Sequence, residues 1–377
     1  MCGILGIVGK GFSQKNDWIK SNIFKISHRG PDDKGIWNSN DQLVCFGHTK
    51  LSIIDLSSKN YQPFVDEEEK VSLVFNGEIY NYLDLRAQLE NLGYKFKTNG
   101  DTEVLLKSYI QWKEDCFKKI EGMFALSICD EKRKKVFLVR DQYGQKPLYY
   151  KYLNQTLKFG SELQLFLNDT DSKLNINNLN KYLYFGFVKH NSLINNVNQL
   201  PPGNFLEFNY EKNTTKIYTY WKIPQRIQRT QLDNYEILEL LKNSLKKQMR
   251  ADVSTGFLLS GGLDSSLLVA LASEISQKQI YTYNVSYNED ASQVENENSK
   301  LVSRMYNTKH TNLNIDKFDI TSFFEILEKF DEPINDSSVI PTFSIYNQIK
   351  DKCKVVIGGD GGDEIFGGYK HFQNFLI

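Results

Sequence analysis

Residues 253–275 read VSTGFLLSGGLDSSLLVALASEI. Val253 to Leu259 is a short apolar run suited to a buried strand, Ser260-Gly261-Gly262 is a turn of small residues, and Ser265 to Ile275 returns to apolar residues at helical spacing. Strand, tight turn and helix in immediate succession form the repeating unit of a parallel α/β sheet. Upstream, Ile237, Leu238, Leu241, Leu245 and Met249 recur on one helical face; further strands are expected at Ile280 to Tyr287 and Lys354 to Gly358. A parallel-sheet domain is therefore expected over residues 233–377.

The preceding part has another texture. Cys2 to Val8, Val71 to Phe75, Met123 to Cys129 and Val136 to Val139 are apolar or alternating runs of strand length. Between them, Leu83 to Leu92 reads as a helix closed by Gly93, and Thr102 to Trp112 as a helix with Asp101 placed to cap its start. A turn at Leu200-Pro201-Pro202-Gly203 precedes a last strand pair ending near Trp221, and the polar stretch from Lys222 to Leu232 reads as a linker. A first, mixed α and β domain is expected over residues 1–221.

Composition agrees with two domains and narrows the ligands. The 377 residues exceed what one core usually organises, and 40% are apolar. Forty-six basic residues balance forty-six acidic ones, which leaves no general electrostatic case for nucleic acid or an anionic membrane, so small molecules are the expected partners. The five cysteines are odd in number, scattered and never spaced CxxC, which argues against a disulfide framework or structural zinc and fits a cytoplasmic setting. No apolar run approaches the length of a membrane span, and the first residues do not read as a signal peptide.

Three segments carry chemistry. Cys2 follows Met1 directly; removal of Met1 leaves a thiol beside a free α-amine that can serve as its base, although a buried strand cysteine is the plainer reading of such a start. Asn76-Gly77-Glu78 follows a strand and supplies a side-chain amide and a backbone N–H of the kind that stabilises an oxyanion, or else forms a polar turn. Ser260 to Ser266 lacks the Walker pattern, but its small residues let backbone N–H groups approach phosphate oxygens at a helix start, with Asp264 as an oxygen ligand for Mg²⁺. A second glycine-rich turn, Gly358-Gly359-Asp360-Gly361-Gly362-Asp363-Glu364, places three carboxylates after another strand.

The ordered motifs MCGILGIVG, HRGPDDKG, NGEIYNY, GDTEV, GMFAL, RDQYGQKPLYY, SELQ, LPPG and SGGLDSS resemble the glutamine-hydrolysing asparagine synthetases over the whole chain. The resemblance implies an αββα four-layer Ntn-hydrolase sandwich followed by a parallel-sheet, adenine-nucleotide hydrolase-like ATP-pyrophosphatase domain. It implies ATP and Mg²⁺ as cofactors, L-glutamine as nitrogen donor and aspartate as acceptor, with an interior ammonia path; it leaves a homodimer open. Cys2 then attacks the glutamine amide, Asn76 and Gly77 hold the oxyanion, and Glu78 and Asp101 grip the α-amino group. Lys50, Leu51, Ile53 and Ile54 complete the glutamine pocket. Leu259, Ser260, Gly261, Gly262, Asp264, Ser265, Ser266, Val285, Gly358 and Gly359 form the ATP site, Asp264 and Asp363 bind metal, and Asp360 assists catalysis at the acceptor. Arg29 is expected to organise a loop, and His48 to pack or bond locally.

Two departures qualify these expectations. Lys50 stands where the resembled family ordinarily has arginine, so the charge that meets the glutamine carboxylate is kept while the two-pronged geometry is lost. Asp360 stands for a glutamate, one methylene shorter, which together with the segment from Phe330 to Ser338 near the acceptor pocket opens a sugar carboxylate such as a uronic acid as alternative acceptor. The resembled proteins continue past this chain's last residue, so the glutaminase half is expected to be self-sufficient and the synthetase half impaired. The remaining alternative is a catalytically silent glutamine- or nucleotide-binding protein.

Overall fold

The computed structural model describes residues 1–10, 14–224, 233–287, 293–315, 320–369 and 372, which form two units: residues 1–227 with Phe330–Asn335, and the remainder.

The first unit contains strands β1 (Gly3–Gly9), β2 (Asp33–Asn38), β3 (Val44–Lys50), β4 (Phe64–Asp66), β5 (Val71–Ile79), β6 (Gly122–Asp130), β7 (Lys135–Arg140), β8 (Tyr149–Leu153), β9 (Thr156–Gly160), β10 (Asn198–Gln199), β11 (Asn204–Asn209) and β12 (Thr214–Thr219). One antiparallel sheet runs β10-β8-β9-β1-β3-β2, the other β12-β11-β7-β6-β5-β4. Helix α1 (Lys15–Ile23) packs on the first sheet; α2 (Tyr82–Asn91) and α3 (Asp101–Trp112) pack on the second; α4 (Ile176–Phe185) follows later.

The period-two alternation of β1 explains why its whole run is apolar. Ile4 and Val8 point between the sheets, towards Phe46, Val74, Ala125 and Leu138. Leu5 and Ile7 point the other way, onto Trp18 and Ile19 of α1. β5 is built alike, with Val74 between the sheets and Leu73 and Phe75 against Leu85, Leu105 and Tyr109 of the helices. Three apolar layers therefore separate four layers of backbone, the αββα sandwich.

One local expectation is corrected. Asp101 is not the cap of α3 but its first residue, after Gly100, and its Oδ2 accepts the Ile79 N–H at 3.0 Å. A carboxylate near a helix start is favoured by the exposed N–H groups there, but this one is drawn to the neighbouring end of β5.

In the second unit α5 (Asn234–Gln248) opens with a capping box: Asp233 Oδ1 accepts the Glu236 N–H, and Glu236 Oε2 accepts the Asp233 N–H. The chain then alternates β13 (Thr255–Leu258), α6 (Leu263–Ile275), β14 (Tyr281–Tyr287), α7 (Gln293–Met305), β15 (Lys309–Ile315), α8 (Ile320–Leu327), α9 (Val339–Ile349), β16 (Val355–Ile357) and α10 (Gly362–Phe366). All pairings are parallel, in the order β15-β14-β13-β16. Succession runs outward from β13 to β15 and then returns to β13's other edge, so a topological switch point lies between β13 and β16. Open parallel sheets bind ligands beyond the carboxyl ends of strands at such a point, and here both glycine-rich turns leave it.

Residues 330–335, which the sequence reading places near an acceptor pocket in the second domain, cluster with the first unit. The first unit is thus not contained within residues 1–221.

Candidate active site

Cys2 stands at the mouth of β1 and is half-buried. Its carbonyl accepts a hydrogen bond from Arg29 Nε at 3.0 Å, and Arg29 Nη1 pairs with Glu162 Oε1 at 2.9 Å. Arg29 therefore organises the backbone of Cys2 rather than reaching the thiol. The next residues of the strand are tied to the same region: Ile4 N–H donates to Ser161 Oγ and Ser161 N–H to the Ile4 carbonyl.

The thiol opens onto a cavity lined by Met1, Cys2, Lys50, Leu51, Ile53, Ile54, Asn60, Gln62, Phe75, Asn76, Gly77, Glu78, Asp101, Thr102, Met123 and Lys146. All eight residues expected at a glutamine site border this one cavity, with Cys2. Cys2 Sγ accepts the Leu51 N–H at 3.4 Å. Burial pushes the thiol above its ordinary pKa, while the Leu51 N–H and the neighbouring α-amine draw it down again.

Asn76 is fully buried, and neither its Nδ2 nor its Oδ1 has a hydrogen-bond partner among the described residues. Leaving such a group unpaired costs about 1–3 kcal/mol, so the folded chain holds it there at a loss. Gly77 follows at φ +156, and a Cβ there would lie 2.0 Å from the Met123 carbonyl oxygen, so only glycine lets β5 and β6 approach this closely.

Two carboxylates face the same space. Burial, reinforced by Asp101, raises Glu78 to about 7, and burial raises Asp101 to about 6 against the pull of the Ile79 N–H. Burial lowers the Lys50 ammonium, whose Nζ donates to the Asn60 carbonyl at 2.8 Å and lies 5.0 Å from the centre of the Tyr61 ring. The α-amine of Met1 is brought down to about 6, chiefly by burial, with Arg29 and Lys146 adding to the effect. His48 is fully buried and held down at about 3, and its Nε2 meets the Phe75 carbonyl at 3.2 Å, which leaves it a neutral packing residue.

Three residues outside the expected site set also bear on this cavity. Lys146 is buried, with Nζ 3.0 Å from Met1 Sδ. Gln62 Oε1 takes the Phe75 N–H at 2.7 Å and so fixes the strand leading to Asn76. Glu103, inside GDTEV, accepts the N–H groups of Lys97 and Thr98 and the Thr98 hydroxyl, tying down the approach to Asp101. Glu103 meets residues five and six positions before it, whereas Lys146 reaches Met1 across 145 residues, which spacing does not announce.

In the second unit, Ser260 Oγ lies 3.0 Å from Ser265 Oγ and accepts the Gly262 N–H at 3.3 Å, shaping the turn before α6. A depression lined by Leu241, Ser244, Leu245, Gln248, Asp264, Leu267, Leu268, Ile357, Gly358 to Gly362, Ile365 and Phe366 joins this turn to the one after β16. A Cβ on Gly362 would fall within 2.4 Å of Asp264 Oδ2, so the carboxylate rests directly on the second turn. Of the expected residues, Asp264, Gly358, Gly359 and Asp360 line the depression. Ser260, Gly261, Gly262, Ser265, Ser266 and Asp363 do not, and Leu259 and Val285 pack into the two apolar cores on either side of the sheet. Leu259 is completely buried, which removes its side chain from any nucleotide surface. Among the described residues no three metal-ligating side chains cluster. Mg²⁺ carried by a phosphate substrate needs only one or two carboxylates; of the two expected ligands Asp264 borders the depression and Asp363 does not.

All five cysteines are unpaired, and no helix of the described residues is long and apolar enough to cross a membrane. Residues 1–221 match the glutamine amidotransferase domain family and residues 236–376 the asparagine synthase family. The chain is 35% identical, over 99% of its length, to the "Putative asparagine synthetase (glutamine-hydrolyzing) 2" of Methanocaldococcus jannaschii, covering 76% of that protein. It is 33% identical over its whole length to asparagine synthetase (glutamine-hydrolyzing) 1 of Bacillus subtilis, of which it spans 60%. Among solved structures, the glutamine phosphoribosylpyrophosphate amidotransferase of B. subtilis superposes with a TM-score of 0.44 at 17% identity, covering 73% of this chain and 64% of the other. On the sequence matches, which run through both units, the chain belongs to the family of glutamine-hydrolysing asparagine synthetases.

Proposed function

We propose that this chain is a glutamine-dependent asparagine synthetase, releasing ammonia from glutamine at Cys2 and using ATP to activate the side-chain carboxylate of aspartate for amidation. The observation that carries the reading is the buried, unpartnered Asn76 amide on the wall of the cavity that holds the Cys2 thiol. A donor held without a partner is what an oxyanion hole requires before its substrate arrives.

The sequence of events follows from the residues. The Cys2 thiol transfers its proton to the α-amine exposed by loss of Met1 and attacks the side-chain amide carbon of glutamine. Asn76 Nδ2 and the Gly77 N–H donate to the oxygen that becomes negative. Ammonia departs with a proton returned from the amine, and water cleaves the thioester to give glutamate. Glu78 and Asp101, once ionised, hold the substrate's ammonium, and Lys50 its carboxylate. In the second unit the turns at Gly261–Gly262 and Gly358–Gly359 receive the phosphates of ATP. Asp264 and Asp363 are the residues that would hold Mg²⁺, which when bound would supply positive charge for the phosphates of ATP. Asp360 borders the acceptor.

The test measures glutamate from glutamine and AMP from ATP, with aspartate and with uronic acids as acceptors. Glutamate release together with aspartate-dependent AMP supports the whole reading. AMP release that depends on a uronic acid instead of aspartate changes the acceptor. Loss of both activities overturns it.

A further inference from the structure

The segment Phe330–Asn335 supplies the first unit with two carboxylates that the mechanism above does not use. Asp331 Oδ2 accepts the Leu163 N–H at 2.6 Å and its Oδ1 the Gln164 N–H at 3.3 Å. Glu332 Oε1 accepts the Leu193 N–H at 2.5 Å. Leu163 opens a single 3₁₀ turn, Leu163–Leu165, whose first N–H groups have no partner within the turn; Asp331 caps it from 168 residues away.

That turn is the support on which Cys2 rests. Ser161 exchanges two hydrogen bonds with Ile4, and Glu162, one residue before the capped N–H, pairs with Arg29 Nη1, His28 Nε2 and Gln164 Nε2. Arg29 completes the path by donating to the Cys2 carbonyl. We infer that Asp331 is a positioning residue for the nucleophile, holding the Ser161–Gln164 turn so that Glu162 and Arg29 fix the main chain of Cys2. Burial costs Asp331 an environment that favours its charge, and the adjacent Glu162 adds to that cost, which a residue of purely local use would not need to bear.

The inference rests on the glutaminase reading for its catalytic meaning, but not for its test. The full chain is treated with iodoacetamide, and alkylation of Cys2 is followed by peptide mass analysis; the other four cysteines are buried. Asp331→Ala is expected to slow Cys2 alkylation about tenfold, and to lower kcat for glutamate release by a similar factor with KM for glutamine within about twofold. Where Asp331→Ala yields no folded protein, Asp331→Asn takes its place, with an expected slowing of about threefold. In a Glu162→Gln background the Asp331 substitution is expected to add little, because the two residues act along one path. An unchanged alkylation rate in a folded Asp331 variant, or full additivity with Glu162→Gln, overturns the inference. Slowed alkylation in a chain whose wild type releases no glutamate would instead overturn the glutaminase reading and leave the positioning role standing.

Discussion

The ammonium of Lys50 is bound to the main-chain carbonyl of Asn60 at 2.8 Å. On the proposed glutamine site, part of the charge assigned to the substrate carboxylate is therefore already engaged by the wall of the cavity. A guanidinium in its place has donors enough to keep the Asn60 contact and present two parallel N–H groups to the substrate. Lys50→Arg is expected to lower KM for glutamine severalfold while ammonia-dependent turnover is unchanged; steady-state kinetics with each nitrogen source checks both halves.

Asn76 sets stability against activity. Removing its unpartnered amide relieves a buried polar group, so Asn76→Ala is expected to leave Tm unchanged or slightly raised, while kcat for glutamine hydrolysis falls by roughly 10²–10³. Calorimetry and glutamate release on the same preparation give the comparison.

Glu78 has a folded pKa of about 7, raised from 4.5 by burial and by Asp101. A raised acid pKa means the folded state holds its proton more tightly, so stability from this group is complete below about pH 4.5 and is lost as pH rises through 7. Glu78→Gln is expected to melt above the wild type at pH 8, with the difference vanishing near pH 4.5. The proposed substrate role has the opposite sign: KM for glutamine in the wild type is expected to rise as pH falls from 7 towards 6, where Glu78 and then Asp101 lose their charges. Melting curves and KM across that range test the pair.

Gly77→Ala forces a Cβ to within 2.0 Å of the Met123 carbonyl oxygen, at a φ that side chains rarely adopt. The separation of β5 and β6 must then widen, at a cost of roughly 2–4 kcal/mol, and the donor beside Asn76 moves with it. A lower denaturation midpoint and loss of glutamine hydrolysis are expected together.

Much of this was legible in the amino-acid sequence because the signals are local. Alternation along β1 and β5 reports two buried faces, and the small residues of 260–262 report a turn between strand and helix. What escaped is set by partners far away in the chain. Asp101 carries the composition of a helix cap, yet its carboxylate goes to Ile79. Leu259 adjoins a phosphate-type turn, yet its side chain completes a core. Lys146 lines the cavity and reaches Met1 across 145 residues, a meeting that only the finished fold brings about. Asp331 is the extreme case, since nothing in FDEPIND distinguishes a cap from a surface acid.

The placement of Asp331 also imposes an order on synthesis. The thiol is the second residue to be made, but the carboxylate that steadies its support follows Leu163 by 168 residues. At translation rates of about 5–20 residues per second, the first unit waits roughly 10–30 s beyond the emergence of Leu163 for its last piece. On the inferred role of Asp331, Cys2 is therefore present long before its support is held, and the nascent chain completes that support only after residues 228–329, assigned to the second unit, have been synthesised.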